Sequence, residues 1–319
     1  MTVLDRDPTL TTLRRAVPGL TVGRVLCRGA KAVLVEATFD GRPVVAKVLT
    51  STDRTWREAL AREARIYLAF QEWAAPVAVP GLVAQDVGHR VLVIGHVGGR
   101  PVHVERHPPR LPPAVWWTVL AAAVRISRWM PPVSRVERVF DYPARITRYH
   151  GLGLLTGQDV DALRTLLPLA GGRWEFAHGD LLLSNVHLPT AAPVAPVDPR
   201  ASRGSRVPDE HDETGEVHGP VTVLDWEWAG MYLPGWDLAT LWLLAGATPG
   251  ARGLIVATAG SDPAREAAFW VNAATAVTRE IHTHAGLPGT PAVRERLNAL
   301  HADRRQVGET LGRLAATAR

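Results

Sequence analysis

Cysteine, lysine and long apolar runs are what this 319-residue chain has least of, and each shortage excludes something. A single cysteine, Cys27, rules out an internal disulfide framework and fits a reducing compartment, so the cytoplasm is the expected location. The apolar run Leu238 to Ala247 is about half a membrane span, and no membrane association is expected. The opening MTVLDRDPTL has neither a basic leader nor an apolar stretch, so no secretory signal is expected. No Walker A string occurs, which argues against a P-loop enzyme.

The lysine shortage is the more useful. Basic residues exceed acidic ones by 36 to 31, yet only Lys31 and Lys47 are lysine and the remaining 34 are arginine. So lopsided a ratio reads as coding bias, and the arginines form no single run with aromatics, so nucleic-acid binding is not expected. In such a chain a surviving lysine is a candidate for work arginine does badly.

Two lobes are expected from length and pattern. Val22, Val25 and Leu26, then Ala32 to Phe39, then Val44 to Leu49 read as strands, with Asp40-Gly41 as a hairpin turn. Thr55 to Trp73 reads as a helix whose apolar face carries Trp56, Leu60, Ala64 and Tyr67. Val91 to Ile94 is a short buried strand. This small, antiparallel-β lobe with one helix is placed at 1–96. Residues 97–319 read as a larger, mostly helical lobe, with helices at 112–130, 157–170, 234–247, 263–285 and 291–316 and strand signals at Ala177, 186–188 and 221–224. The fold class is α+β. Residues 190–219 are a Pro-, Arg-, Asp- and Glu-rich insertion whose only apolar side chains besides proline are alanine and valine, expected to be disordered rather than a lid.

Two strings carry the chemistry. HGDLLLSNV (His178 to Val186) sets Asp180 five residues before Asn185, and VLDWEWAG (Val223 to Gly230) sets Asp225 after an apolar run. Phosphoryl transfer needs one carboxylate to orient a hydroxyl, and an amide plus a carboxylate to hold Mg²⁺ against nucleotide phosphates. Lys47, on the third strand, suits contact with α- and β-phosphates, braced by a glutamate of the next helix. At 100° per residue Glu63 shares the buried face with Leu60, Ala64 and Tyr67, whereas Glu58 points away. Glu63 is therefore the expected partner. His282 and His284 do not share a helix face, which argues against a metal on that pair.

These strings resemble those of the aminoglycoside phosphotransferase family, the small-molecule branch of the protein-kinase-like superfamily. That family writes HGDxxxxN and [IV]DW[ED]; here stand HGDLLLSN and LDWE. The resemblance implies a two-lobed protein-kinase-like fold and an enzyme moving the γ-phosphate of ATP or GTP to a hydroxyl of a small molecule. It implies Asp180 as the catalytic carboxylate and Asn185 and Asp225 as Mg²⁺ ligands. Lys47 and Glu63, with Gly29 and Lys31 of the loop 27–31, would bind phosphates, and Gly95 and Val97 would border the base. The chain departs from the protein-kinase pattern in lacking GxGxxG around Gly29. His178 and Asp237 would be scaffold residues, and Glu227 a further acid on the metal or substrate side. An aminoglycoside or other antibiotic leads among acceptors, ahead of a choline-, homoserine- or sugar-type metabolite; a protein Ser/Thr kinase and a nucleotide-binding pseudokinase come behind. A polycation would need acids such as Asp159, Asp161, Glu266 and Glu280 to converge. A monomer or dimer is expected.

Overall fold

The computed structural model describes residues 7–131, 136–189, 221–248 and 250–318. The expected insertion at 190–219 lies outside them. The architecture is bilobed, with an antiparallel sheet in the N-terminal region and a larger helical C-terminal region.

The sheet runs in the order β1 (Thr21–Arg28), β2 (Ala32–Phe39), β3 (Arg42–Leu49), β5 (Val91–Gly95), β4 (Leu82–Asp86). Asp40 and Gly41 both have positive φ, 49° and 73°, which is the twist a two-residue hairpin between β2 and β3 requires. Alternation along each strand sorts side chains to two faces. Val33, Val35, Ala37, Val44, Ala46, Val48, Val91 and Val93 pack with Leu10 and Leu13 of α1 (Pro8–Ala16). The residues on the other face include Lys47, which stands opposite Leu34 on β2 and Leu92 on β5. The pleat thus delivers one lysine into an otherwise apolar surface that looks towards the second lobe. A register slip of one residue would turn it into the α1 core instead.

Helix α2 (Arg54–Glu72) follows β3 and starts at Asp53, whose carboxylate accepts from the Thr55 N–H at 2.7 Å. Its buried stripe includes Leu60, Glu63, Ala64 and Tyr67. The expected helix phase is therefore observed. Glu58 is exposed and pairs with Arg54 at 2.6 Å.

The C-terminal region is built on α3 (Pro113–Ser127), α4 (Tyr142–Gly151), α5 (Gly157–Ala170), α6 (Trp236–Leu244), α7 (Ala251–Ala259), α8 (Pro263–Ala285) and α9 (Pro291–Thr317). Helix α8 is buried over most of its length and is packed by α5, α6 and α9. Short strands position the chemistry-bearing strings: β6 (Arg100–Pro101) and β9 (Thr222–Val223) flank β8 (Val186–Leu188), and β7 (Glu175–Ala177) pairs with β10 (Gly230–Tyr232). Val186 pairs with Val223, and the Leu224 N–H donates to Asn185 O at 2.9 Å. The two strings thus lie side by side, whatever path the intervening residues take. Sequence reading placed the main elements but missed α1, α4, α7, β4, β6 and β10. Among the described residues no helix is long and apolar enough to cross a membrane.

Candidate active site

A cleft of about 480 Å³ opens between the sheet and the strands β8 and β9. Its polar end is lined by Gly29, Lys31, Lys47, Glu63, Asn185 and Asp225; Gly95 and Val97 border the apolar end with Leu92 and Ile94. Eight of the nine expected site residues are thereby brought to one cavity. The ninth, Asp180, is not part of its lining.

Lys47 is the hub. Its Nζ donates to Glu63 Oε2 at 2.8 Å, Asp225 Oδ1 at 2.7 Å and Glu227 Oε2 at 2.9 Å. Lys31 reaches the same Glu227 through Oε1 and lies 4.4 Å over the ring of Trp56. Glu227, 3% exposed, thus bridges both lysines of the chain. Sequence reading named it only as a further acid; its two-residue offset from Asp225 within a tight 3-10 turn (Trp226–Trp228) is what puts both carboxylates on one lysine. The Arg62 side chain fixes that turn by donating to Glu227 O at 2.8 Å.

Burial opposes the Lys47 charge, but the three carboxylates around it hold its pKa well above the ordinary value. Burial pushes Glu63 up to about 7 despite Lys47. It acts on Asp225 in the same direction, but there Lys47 outweighs it and the carboxyl titrates below its usual range. The carboxylate oxygens of Glu63, Asp225 and Glu227 lie within 4.8 Å of one another. With all three ionised, the acids would leave one excess negative charge over the two lysines, and the donors are all oxygen, as is the amide oxygen of Asn185 in the same cleft. That set fits a hard divalent cation such as Mg²⁺. Asp225 itself has left-handed backbone, φ 61° and ψ 60°, uncommon outside glycine and enriched at functional sites.

The segment around Asp180 is held by buried polar contacts. Asp237, at the start of α6 and 5% exposed, accepts from the N–H groups of His178 at 2.8 Å and Gly179 at 3.0 Å. Burial raises the pKa of its carboxyl. The His178 ring donates from Nε2 to Leu224 O at 2.8 Å and accepts the Asp180 N–H at Nδ1 at 3.3 Å, tying the two strings together. Gly179 has φ 84°, and a Cβ there would fall 2.1 Å from Trp228 O, so only glycine fits. Asn185 Nδ2 donates to Asp180 O at 3.1 Å, which commits its nitrogen and leaves Oδ1 as the end that could hold a cation. The Asp180 carboxylate meets Arg279 Nη2 at 3.3 Å and Arg106 Nη2 at 3.5 Å, both at Oδ1.

At the other end of the cleft stand Gly95, His96 and Val97. The Gly95 N–H donates to Gly81 O and the His96 N–H to Pro43 O, at 2.8 and 3.0 Å. Among the described residues no hydrogen bond engages the Val97 N–H.

No protein-family model matches the chain, and no curated protein matches it. Solved structures do. A microcompartment-associated aminopropanol kinase superposes with a TM-score of 0.59 at 15% identity, over 97% of this chain and 99% of that one. The GDP and kanamycin complex of an aminoglycoside phosphotransferase gives 0.58 at 13% identity, over 93% and 98%. A putative aminoglycoside phosphotransferase from Ralstonia eutropha JMP134 gives 0.52 at 14% identity, over 97% and 97%. At these identities the likeness is one of fold, and it extends over more than nine tenths of each chain.

Proposed function

We propose that this protein is a phosphotransferase that moves the γ-phosphate of ATP or GTP to a hydroxyl of a small molecule. The observation that carries this is the convergence of Lys47, Glu63, Asn185 and Asp225 on one cleft, with Asp180 fixed five residues before Asn185. These groups come from both lobes and are the set phosphoryl transfer uses.

The N-lobe, residues 1–96, holds the nucleotide. Its base lies on the apolar end of the cleft, with the Val97 N–H as donor and Gly95 allowing close approach. Lys47 and Lys31 face the phosphates, and Gly29 lets the β1–β2 turn close over them. The C-lobe, residues 97–319, supplies Asp180, Asn185 and Asp225. Asn185 and Asp225 would hold Mg²⁺, which would supply neutralisation of phosphate charge. Asp180 accepts the proton as the acceptor oxygen bonds to the γ-phosphorus, and the bond to the β,γ-bridging oxygen breaks to release the nucleoside diphosphate. Glu63 keeps Lys47 extended, and Glu227 restrains both lysines until phosphates replace it. The fold-mates that carry GDP and kanamycin, or act as an aminopropanol kinase, support a nucleotide and a small hydroxylated acceptor rather than a protein substrate. The enzyme works in the cytoplasm, as a monomer or dimer, without nucleic acid or membrane.

The test is an ATP- and GTP-consumption screen across aminoglycosides, other hydroxylated antibiotics, choline, homoserine, sugars and hydroxy acids, with Mg²⁺. Turnover that depends on one acceptor and on Lys47 supports the reading. Nucleotide hydrolysis indifferent to every acceptor would count against it.

A further inference from the structure

The wall beside Asp180 is basic. Arg106, in the segment between β6 and α3, meets Asp180 and also grips Glu280 of α8 through both oxygens, at 3.0 and 2.6 Å. Arg279, one residue earlier on α8, meets Asp180 at 3.3 Å and stands 3.6 Å from Glu280. Arg296 of α9 lies close enough to Arg106, His107 and Glu280 to act on them electrostatically. Arg252, next to it, is paired with Asp303 at 2.8 Å. The wall thus carries four guanidiniums against three carboxylates, Asp180, Glu280 and Asp303; Arg106 and Arg279 are the two that reach Asp180, and His107 and His284 stand beside Glu280.

Much of this basic surface is buried and unspent. Among the described residues, Arg279 Nε, Arg296 Nε and Nη2, and both ring nitrogens of His107 are buried without a hydrogen-bond partner. His107 Nε2 is 3.6 Å from Glu280, beyond hydrogen-bond reach. Donors left unpaired in this way cost stability unless a ligand satisfies them. His107, Glu280 and His284 have metal-ligand spacing. A cation there would lie among guanidiniums, Glu280 is already spent on Arg106, and the His284 Nδ1–H is given to Glu280 O at 2.8 Å. An anion fits where a metal does not.

The acids that a polycationic acceptor would need do not assemble here. Asp159 is bound to Arg304, Asp161 is exposed on α5, and Glu266 lies about 20 Å along α8 from Glu280.

We propose that the acceptor is anionic: a small hydroxylated molecule whose carboxylate or phosphate is held by Arg106 and Arg279 beside Asp180, with Arg296 behind them adding to the positive field. This rests on the phosphotransferase reading and adds the charge class of its substrate. Guanidinium forks suit both oxyanions. On binding, the anion takes over the share of Arg106 and Arg279 now given to Asp180 Oδ1, which frees that oxygen for the acceptor hydroxyl.

The test uses the whole protein saturated with Mg²⁺ and a non-hydrolysable ATP analogue, so that the triphosphate positions are filled. Inorganic phosphate, glycolate and kanamycin are then titrated in by calorimetry. Phosphate or glycolate is expected to bind, which also separates the two oxyanions, with affinity at least tenfold weaker in Arg279→Gln and weaker to a smaller degree in Arg296→Gln. Glu280→Gln removes the competing carboxylate and should strengthen anion binding severalfold, a gain that misfolding cannot mimic. Kanamycin binding in preference to both anions, no anion binding at all, or anion affinity indifferent to these three substitutions would overturn the inference. Failure of the ATP analogue itself to bind would instead sink the phosphotransferase reading.

Discussion

Glu63→Gln isolates the electrostatic tension at the hub. Glu63 is 2% exposed, and burial raises its pKa from an ordinary 4.5 to about 7 even with Lys47 at 2.8 Å. The folded protein therefore holds a proton that the unfolded chain releases. This contribution to stability is fully present below pH 4.5 and is lost as pH rises through about 7. At about 1.4 kcal/mol per pH unit the gap amounts to about 3 kcal/mol between pH 4.5 and 8. Glutamine keeps the shape and one acceptor but cannot titrate. Urea unfolding of both proteins, without nucleotide or Mg²⁺, at pH 4.5, 6 and 8 measures the effect. Wild type should lose about 3 kcal/mol more than Glu63→Gln over that range. Parallel pH profiles would refute the reasoning, since they would mean that Glu63 stays ionised and that Lys47 fully offsets its burial.

Three further outcomes follow from the same geometry. Lys47→Met leaves buried carboxylates without their main partner and should cost about 3–5 kcal/mol at pH 8, less at pH 5, by urea unfolding, with a matching loss of nucleotide affinity. Gly179→Ala forces a Cβ against Trp228 O at φ 84° and should cost about 2–4 kcal/mol from backbone strain and overpacking, seen as a lowered unfolding midpoint together with lost turnover. Glu58→Ala, on the exposed face of the same helix, removes only a surface pair and should cost under about 0.5 kcal/mol with turnover unchanged.

The parts of the site legible in the sequence are those that obey local periodicity. Helix phase separated Glu63 from Glu58, the apolar strand run put Lys47 on β3 ahead of that helix, and Asp40-Gly41 marked its own turn. The offset between Asp180 and Asn185 survived because both belong to one short segment tied by the Asn185 side chain. What escaped depends on long-range packing. Helix α1 (PTLTTLRRA) has only Leu10 and Leu13 buried and needs the sheet beneath it. Helix α7 carries an internal Gly253, and β4 is only five residues long, so neither shows a clear period. The double use of Glu227 required the left-handed turn at Asp225. Arginines that look scattered along the chain, at 106 and 279, meet at Asp180 only because α8 packs beside the segment after β6. No local pattern announces that convergence.

The central claim is that Asp180 directs transfer of a nucleotide γ-phosphate to an acceptor hydroxyl. Its most direct test is single-turnover phosphorus NMR with Mg²⁺·ATP and the acceptor found by screening, comparing wild type with Asp180→Ala. The account predicts a phosphomonoester resonance that forms with wild type and slows by about 10²–10⁴-fold in the variant, with nucleotide affinity kept. Phosphomonoester formation at the wild-type rate in Asp180→Ala would contradict it.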